Sequence, residues 1–162
     1  MSEQEKSLYM TVLMMPDMAN FSGKVNGGSL LKLLDQVAYA CAARYCKSYV
    51  VTASLDHVFF KEAIQVGELV NFSAHVNYTG RSSMEVGIRV EAENLHSKAK
   101  RHTNSCYFTM VAVGEDGKPC EVPQLILETE TDRKLFEAGK MRKEMRQEIM
   151  ARNRELHVGM GR

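Results

Sequence analysis

Apolar and polar positions along this chain change their period from one region to the next. Over residues 27–46 the apolar side chains recur at helical spacing and leave almost no polar face, which predicts a long helix covered on most sides. Between residues 68 and 113 they alternate with polar residues at period two, which predicts strands. Over 131–156 only a narrow apolar stripe remains, as in an exposed amphipathic helix.

Two further strands are predicted on either side of the first helix, at residues 7–15 and 49–60, where β-branched and aromatic residues are frequent. The connections are too short for crossover helices, so the sheet is expected to be antiparallel, with the four strands after the helix in a meander. One apolar helix beside five strands predicts an α+β fold with the sheet curled around the helix. A single sheet cannot cover all sides, and we expect a partner subunit to complete the enclosure.

The C-terminal helix is predicted to begin with Thr131 or Asp132 as its cap and to pack along the body or on a neighbouring subunit. Its apolar stripe consists of Met141, Met145, Ile149 and Leu156. We therefore divide the chain into a flexible N-terminus (1–7), one domain (8–122) and a C-terminal linker with its helix (123–162).

Composition narrows the classes of partner and location. A chain of 162 residues suits one domain, and a net charge of +1 indicates neither nucleic acid nor a membrane surface as partner. The N-terminus lacks the apolar core of a signal peptide and no apolar run has membrane-spanning length, so a cytoplasmic location is expected. The four cysteines form neither a CxxC pair nor a zinc-ligand pattern, which predicts reduced thiols and no metal site.

Asp35 is an anomaly in the first helix, because no basic residue stands at a helical spacing that would cover it well. It is either buried and paired with Arg44, His57 or a hydroxyl, or it is a catalytic carboxylate. Asn26 is a good N-cap, yet Gly27 and Gly28, which follow it, are poor helix formers. Their presence suggests that another group approaches the bare backbone at the helix start.

The pattern N-x-x-G-x-V-x-G-G-x-L-L-x-x-x-D from Asn20 to Asp35, followed by VVTASLDHVFF and TGRSSMEV, resembles the hotdog-fold acyl-CoA thioesterases, specifically the cytosolic acyl-CoA hydrolase branch. The similarity covers roughly residues 8–120. It implies the hotdog fold, an antiparallel five-stranded sheet wrapped around a long central helix, in a dimer with a continuous sheet. It also implies a hexamer of three dimers, in which Asp35 and Asn20 reach each active site from opposite subunits. Ala63 departs from a proline that many relatives carry, and we expect little functional change from it.

The implied reaction converts acyl-CoA and water to a free acid and CoA. Asp35 can act as general base on water or attack the carbonyl directly, and the sequence leaves both routes open. Free backbone N–H groups at Gly27 and Gly28 can hold the oxyanion, while Asn20 orients water or donates to the carbonyl. The mechanism needs no metal and no cofactor besides the CoA of the substrate.

Three stretches are predicted to bind CoA. The turn of Gly80, Arg81, Ser82 and Ser83 suits phosphate or amide groups. The backbone of Val51, Thr52, Ala53 and Ser54, an edge-like strand, can pair with the pantetheine amides. Lys61 and the basic residues around Arg142 can meet the nucleotide phosphates. The acyl-chain preference depends on the shape of a tunnel at the subunit interface.

Two other functions stay open. A hotdog dehydratase acting on acyl carrier protein would need a histidine in the loop before the helix, and residues 16–26 contain none. A non-catalytic acyl-CoA-binding module would have no need of both Asn20 and Asp35.

Overall fold

A computed structural model describes residues 3–156 of the chain. The elements are β1 (Ser7–Leu13), a short 3-10 turn (Pro16–Met18), α1 (Gly27–Cys46), β2 (Tyr49–Leu55), β3 (Leu69–Thr79), β4 (Ser83–Glu93), β5 (Lys100–Val113) and α2 (Glu130–Glu155). The predicted central helix is confirmed at both ends. The chain divides after Leu125 into two compact units, the second of which contains α2.

All five strands pair antiparallel in the order β1-β3-β4-β5-β2, and α1 packs against every one of them. The antiparallel sheet around a long helix is therefore confirmed. The predicted four-strand meander is wrong, because β2 pairs with β5 and not with β3. β1 occupies the free side of β3, and β2 consequently forms the opposite edge of the sheet.

Helix α1 is held at both ends by its caps. The side chain of Asn26 accepts a 2.7 Å hydrogen bond from the N–H of Ser29, which confirms it as the N-cap. At the other end Lys47 adopts a left-handed conformation with φ of 54° and its N–H bonds to the carbonyl of Ala43. Both ends of the helix are therefore fixed by local hydrogen bonds.

Only one face of α1 is buried in the protomer. That face contributes Leu30, Leu34, Val37, Ala38, Cys41, Ala42, Tyr45 and Cys46 to the core. On the other side, Asp35, Gln36 and Tyr39 are exposed. The sheet thus encloses about half of an almost wholly apolar helix, and the remaining half is open to another surface.

Strand β2 ends at Leu55, five residues before the predicted end at residue 60. The N–H of Asp56 still bonds to the carbonyl of Tyr107 at 3.0 Å, after which the chain leaves the sheet. The loop 56–68 returns to the start of α1, where the N–H of Val25 bonds to the carbonyl of Ile64 at 2.9 Å. The β-branched and aromatic residues of 56–60 therefore belong to a loop that covers the start of α1, called the covering loop here.

Arg101 on β5 anchors this loop. Its guanidinium donates to the carbonyl of Ala63 at 2.5 Å and to the Glu68 carboxylate at 2.6 and 2.9 Å, and lies 3.0 Å from Glu62. The Glu68 side chain is only 4% exposed and its carboxylate is shielded from water, whereas the Arg101 side chain is 34% exposed. Hydrogen bonding from Arg101 holds the pKa of Glu68 below its ordinary value, and the same bonds raise the pKa of Arg101.

All four cysteines are free, as predicted. Burial raises the pKa of Cys41 and of Cys106 to about 12, which leaves both thiols protonated and unreactive. Within the described residues 3–156, no helix is long and apolar enough to cross a membrane.

Helix α2 is capped by Thr129, not by Thr131 or Asp132. The Thr129 hydroxyl accepts from the N–H of Asp132 at 3.0 Å, and the Asp132 carboxylate accepts from the N–H of Thr129 at 3.1 Å. The prediction of Thr131 or Asp132 as the cap is wrong, because Asp132 is the N3 residue of a capping box whose N-cap is Thr129. The members of the predicted stripe, Met141, Met145, Ile149 and Leu156, are all exposed.

Candidate active site

Asp35 stands on the open side of α1 beside the edge strand β2. The hydroxyl of Thr52 donates a 2.6 Å hydrogen bond to its Oδ1. Of the two other partners considered from the sequence, Arg44 bonds to Glu5 and to the carbonyl of Ser7, and His57 stacks near Phe59. Asp35 is therefore paired with a hydroxyl but not buried, and none of the described residues contacts its Oδ2.

Asn20 lies at the start of a tight turn before α1. Its Oδ1 accepts from the N–H of Ser22 at 2.9 Å, from the Ser22 hydroxyl at 2.7 Å and from the N–H of Lys24 at 3.2 Å. The turn closes through the N–H of Asn20 bonded to the carbonyl of Lys24 and the N–H of Gly23 bonded to the carbonyl of Asn20. Gly23 has φ of 81°, a left-handed conformation that favours glycine.

The first turn of α1 presents two free backbone donors. Asn26 caps the N–H of Ser29, whereas among the described residues nothing accepts from the N–H groups of Gly27 and Gly28. A Cβ on Gly27 would meet the Phe60 ring at 3.5 Å, and one on Gly28 would meet Asn26 Oδ1 at 3.4 Å. Neither glycine has a positive φ. Neither crowding nor backbone conformation within the protomer therefore requires glycine at these two positions.

Asn20 and Gly27 line one cleft of about 430 Å³. Its walls combine apolar residues of α1 and the covering loop with two charged side chains; besides Asn20 and Gly27 they comprise Ser22, Lys24, Val25, Asn26, Leu30, Phe60, Glu62, Ala63 and Ile64. Its polar groups sit at the helix N-terminus, where the partial positive charge of the helix favours a developing anion. This space, which we call the donor cleft, can therefore receive a carbonyl oxygen next to an apolar chain.

Asp35 and Thr52 do not line this cleft. Asp35 follows Gly27 by eight residues, which corresponds to about 12 Å along the helix axis. A carbonyl carbon within attack distance of Asp35, about 3 Å, would leave its oxygen outside hydrogen-bond reach of Gly27 in the same chain. One protomer thus presents two separate groups of predicted catalytic residues.

The predicted turn from Gly80 to Ser83 joins β3 to β4. The N–H of Gly80 bonds to the carbonyl of Ser83 at 2.8 Å. The carbonyls of Gly80, Arg81 and Ser82 each accept a hydrogen bond from a neighbouring segment of the chain. The Arg81 side chain is 87% exposed and lies 3.8 Å from Glu121. The turn is rigidly held, and its guanidinium remains accessible to an anion.

The turn and β2 lie in one row across the sheet. Ser83 pairs with Val111, which pairs with Val51, so they are two strand spacings, or about 10 Å, apart. β2 is an edge strand, as its sequence suggested, and its register shifts between Thr52 and Ser54, which leaves Ala53 in a bulge. Lys61 is exposed in the covering loop, next to the Phe60 and Glu62 that line the cleft.

The sequence reading missed two features of this site. Thr52 was assigned a backbone role, but its hydroxyl holds Asp35, and nothing in an alternating strand reveals which hydroxyl will face a distant helix. Ser22 and Lys24 were passed over, although a short polar residue two positions after Asn20 is a recognisable signal for a side-chain-closed turn.

Comparison with known sequences shows which proteins the chain is similar to. Residues 22–99 match the thioesterase superfamily. The protein VdlD of Helicobacter pylori is 50% identical over 139 residues, which are 86% of this chain and 79% of that protein. The cytosolic acyl coenzyme A thioester hydrolase of Rattus norvegicus is 40% identical over 129 residues, or 78% of this chain, but only 34% of the longer rat protein.

Solved structures give the same result. A hexameric acyl-CoA thioesterase aligns with a TM-score of 0.86 and 39% identity, over 91% of this chain and 94% of that one. The acyl-CoA hydrolase of Staphylococcus aureus, solved with butyryl coenzyme A, coenzyme A and coenzyme A disulfide, aligns with a TM-score of 0.85 and 28% identity, over 94% and 93% of the two chains.

Three alanine variants of the Staphylococcus aureus hydrolase have also been solved, replacing an asparagine, an aspartate and a threonine. In that protein the aspartate follows the asparagine by 15 residues and the threonine follows the aspartate by 17. Asn20, Asp35 and Thr52 have the same two intervals. The sequence, the fold and this spacing agree, and the chain belongs to the hotdog-fold acyl-CoA thioester hydrolases of the thioesterase superfamily.

Proposed function

We propose that this protein hydrolyses acyl-CoA thioesters at a site completed by two copies of the chain. One copy supplies Asp35 and Thr52, and the other supplies Asn20 with the N–H groups of Gly27 and Gly28. The observation that carries the proposal is the Asp35 carboxylate, which is oriented by Thr52 yet open on its other oxygen, and which lies apart from the donor cleft of its own chain.

In this mechanism the thioester carbonyl oxygen points at the Gly27 and Gly28 N–H groups and at the amide of Asn20. Asp35 takes a proton from a water molecule as the water oxygen bonds to the carbonyl carbon. The oxyanion collapses, the C–S bond breaks, and CoA leaves as a thiolate that is then protonated. Each preorganised donor to the oxyanion is worth about 3 kcal/mol of barrier.

The amide of Asn20 serves as a donor in this scheme and not as an acceptor. Three donors already occupy its Oδ1, so its Nδ2 is the atom left to face the substrate. Whichever of the two roles open from the sequence it takes, donation to the carbonyl or orientation of the water, the amide acts through its N–H, and we propose donation to the carbonyl.

The covalent route, in which Asp35 itself attacks and forms a mixed anhydride, uses the same residues. A single turnover in ¹⁸O-labelled water separates the two routes. Attack by water puts the label directly into the acid product, whereas hydrolysis of an anhydride at the Asp35 carbonyl puts it into the carboxylate of the protein.

The dimer forms, in this proposal, by pairing of the free β2 edges into one continuous sheet. An unpaired strand with apolar side chains pointing outward is a ready template for a second strand. Tyr49, Val51 and Leu55 of β2 are exposed, as is Tyr39 on the adjacent open face of α1. Such pairing places Asp35 at the interface, where a second copy excludes bulk water from it. The assembly we propose is a hexamer built from three such dimers, and the related thioesterase is also hexameric.

The CoA portion is proposed to run from this interface toward the β3–β4 turn. Arg81, with Ser82 and Ser83, offers the accessible guanidinium and hydroxyls, and Lys61 is exposed between Phe60 and Glu62, which line the donor cleft. The backbone of Val51–Ser54 is available to the pantetheine amides wherever the second copy leaves it unpaired. The basic residues around Arg142 remain a prediction.

The proposed reaction requires no metal and no cofactor, because water, Asp35 and fixed hydrogen-bond donors supply each step. We propose a cytoplasmic location, in keeping with the cytosolic relative.

Release of free thiol from a panel of acyl-CoAs tests this function. We expect turnover by the unaltered protein and a loss of at least 1,000-fold in Asp35→Ala and Asp35→Asn, on the order of what a missing acid–base group and its positioning supply. Asp116→Asn, a carboxylate in the exposed turn after β5, is the matched control. Unchanged hydrolysis in the Asp35 variants removes this residue from the mechanism. Absence of hydrolysis in the unaltered protein, with acyl-CoA still bound, favours the non-catalytic binding module.

The dehydratase alternative is tested with the same protein. It predicts loss of water from a 3-hydroxyacyl thioester with the C–S bond intact. Formation of an enoyl thioester without thiol release would overturn the hydrolase proposal.

A further inference from the structure

The turn from Asn20 to Lys24 concentrates its donors on one atom. The N–H of Ser22, the hydroxyl of Ser22 and the N–H of Lys24 all point at Asn20 Oδ1, at 2.9, 2.7 and 3.2 Å. A backbone N–H cannot accept a hydrogen bond, so an amide nitrogen at that position would face two donors. The amide orientation is thereby fixed with Nδ2 outward, and within the described part of the chain no residue accepts from it.

The Ser22 hydroxyl differs from the other two donors. It makes the shortest of the three bonds, and it is the one that comes from a side chain. A hydrogen bond accepted by an amide oxygen polarises the amide, which strengthens the amide N–H groups as donors. The hydroxyl therefore acts on the end of Asn20 that faces the substrate as well as on its orientation.

The turn itself does not need this hydroxyl in order to close. A second turn of the same kind surrounds Asn94, whose Oδ1 accepts from the N–H of His96 at 2.9 Å and from the N–H of Ser97 at 3.1 Å. That turn has no side-chain hydroxyl on the asparagine oxygen. Backbone donors suffice there, so the additional hydroxyl at Asn20 calls for another role.

We propose that Ser22 is a positioning residue for catalysis, which fixes and polarises the Asn20 amide so that its N–H donates to the thioester carbonyl in the transition state. The proposal rests on the function proposed above for Asn20. Ser22 lines the cleft, and its hydroxyl bonds to Asn20, so the proposed effect passes through that amide.

The test begins with Ser22→Ala, Ser22→Thr and the matched control Ser97→Ala. We expect kcat to fall about threefold to tenfold in Ser22→Ala, the factor that one hydrogen bond of ordinary net strength represents, with KM unchanged. Ser22→Thr retains the hydroxyl and should recover most of the rate. Ser97→Ala should match the unaltered protein. A Ser22→Ala enzyme with unchanged kcat overturns the inference.

A double-mutant cycle with Asn20→Ala distinguishes positioning from a general effect on the fold. If Ser22 acts through Asn20, adding Ser22→Ala to Asn20→Ala should cause no further loss of kcat. A loss of the same size in both backgrounds would overturn the inference while leaving the proposed function intact. Full activity of Asn20→Ala alone would instead overturn the role of Asn20, and the inference with it.

Discussion

The hydroxyl of Thr52 on the edge strand β2 donates a 2.6 Å hydrogen bond to Oδ1 of Asp35 on α1. The bond joins the edge strand to the open side of α1, and it holds the carboxylate by one oxygen, leaving the other free for the substrate side. In the proposed mechanism that second oxygen receives the proton of the attacking water.

Thr52→Ala should lower kcat about tenfold or more, because a hydrogen bond to a charged acceptor is worth about 1.5–3 kcal/mol. Thr52→Ser keeps the hydroxyl and should stay within a few-fold of the unaltered enzyme. Thr52→Val, which matches the shape of threonine, should behave like alanine. Thiol release measures all three, and an alanine variant of full activity would show that Asp35 is held by something else.

Gly28→Ala should separate stability from activity. The position is exposed in the protomer and its φ is not positive, so alanine should leave the free energy of unfolding unchanged or raise it by up to about 1 kcal/mol. If the thioester approaches the bare backbone here, the methyl group obstructs it and kcat/KM should fall at least tenfold. Thermal unfolding and thiol release on the same preparation decide the matter. A stable variant with full activity would place the oxyanion elsewhere.

The ion pair of Glu68 and Arg101 should make the free energy of unfolding depend on pH in the acid range. The folded pKa of Glu68 is below its ordinary value of 4.5, so its contribution is fully present above that value and is lost as the pH falls through the folded pKa. Urea unfolding between pH 6 and pH 3 should therefore show a loss of stability that is smaller in Glu68→Gln. Equal losses in both proteins would exclude this carboxylate as a source of acid sensitivity.

The same pair should dominate the stability of the covering loop. Arg101→Met leaves the buried Glu68 carboxylate without its partner and should cost about 3 kcal/mol or more. Glu62→Gln, which alters only the more exposed ion pair of Arg101, should cost less than about 1 kcal/mol and serves as control. Urea unfolding at pH 7 measures both, and similar losses would contradict the assignment.

The central helix was predictable because its signals are local. Asn26 caps it, its apolar face is continuous, and both ends fall where the sequence indicated. The position of β2 at the edge of the sheet, next to β5, was not predictable, because period-two alternation indicates a strand but not the strand with which it pairs. The end of β2 was misplaced because Val58, Phe59 and Phe60 keep a composition typical of strands after the chain has left the sheet.

Some residues of the candidate site could likewise be predicted from the sequence, and others could not. Asn20, Gly27, Gly28 and Asp35 were predicted from one contiguous motif, and their catalytic roles stay a prediction. The Thr52 hydroxyl reaches Asp35 because β2 packs beside α1 in the folded chain. No local sequence pattern encodes this tertiary contact. Ser22 was within reach of sequence reasoning, because closing a turn on an asparagine side chain is a local event.

Mixing two defective variants tests most directly whether one site takes residues from two chains. Asp35→Ala is expected to be inactive and Asn20→Ala to be strongly impaired, while random exchange of equal amounts gives half mixed dimers, each with one intact site. We predict recovery of about a quarter of the activity of the unaltered protein, in step with subunit exchange followed by mass spectrometry. Exchange that goes to completion without any recovered thiol release would contradict the shared site.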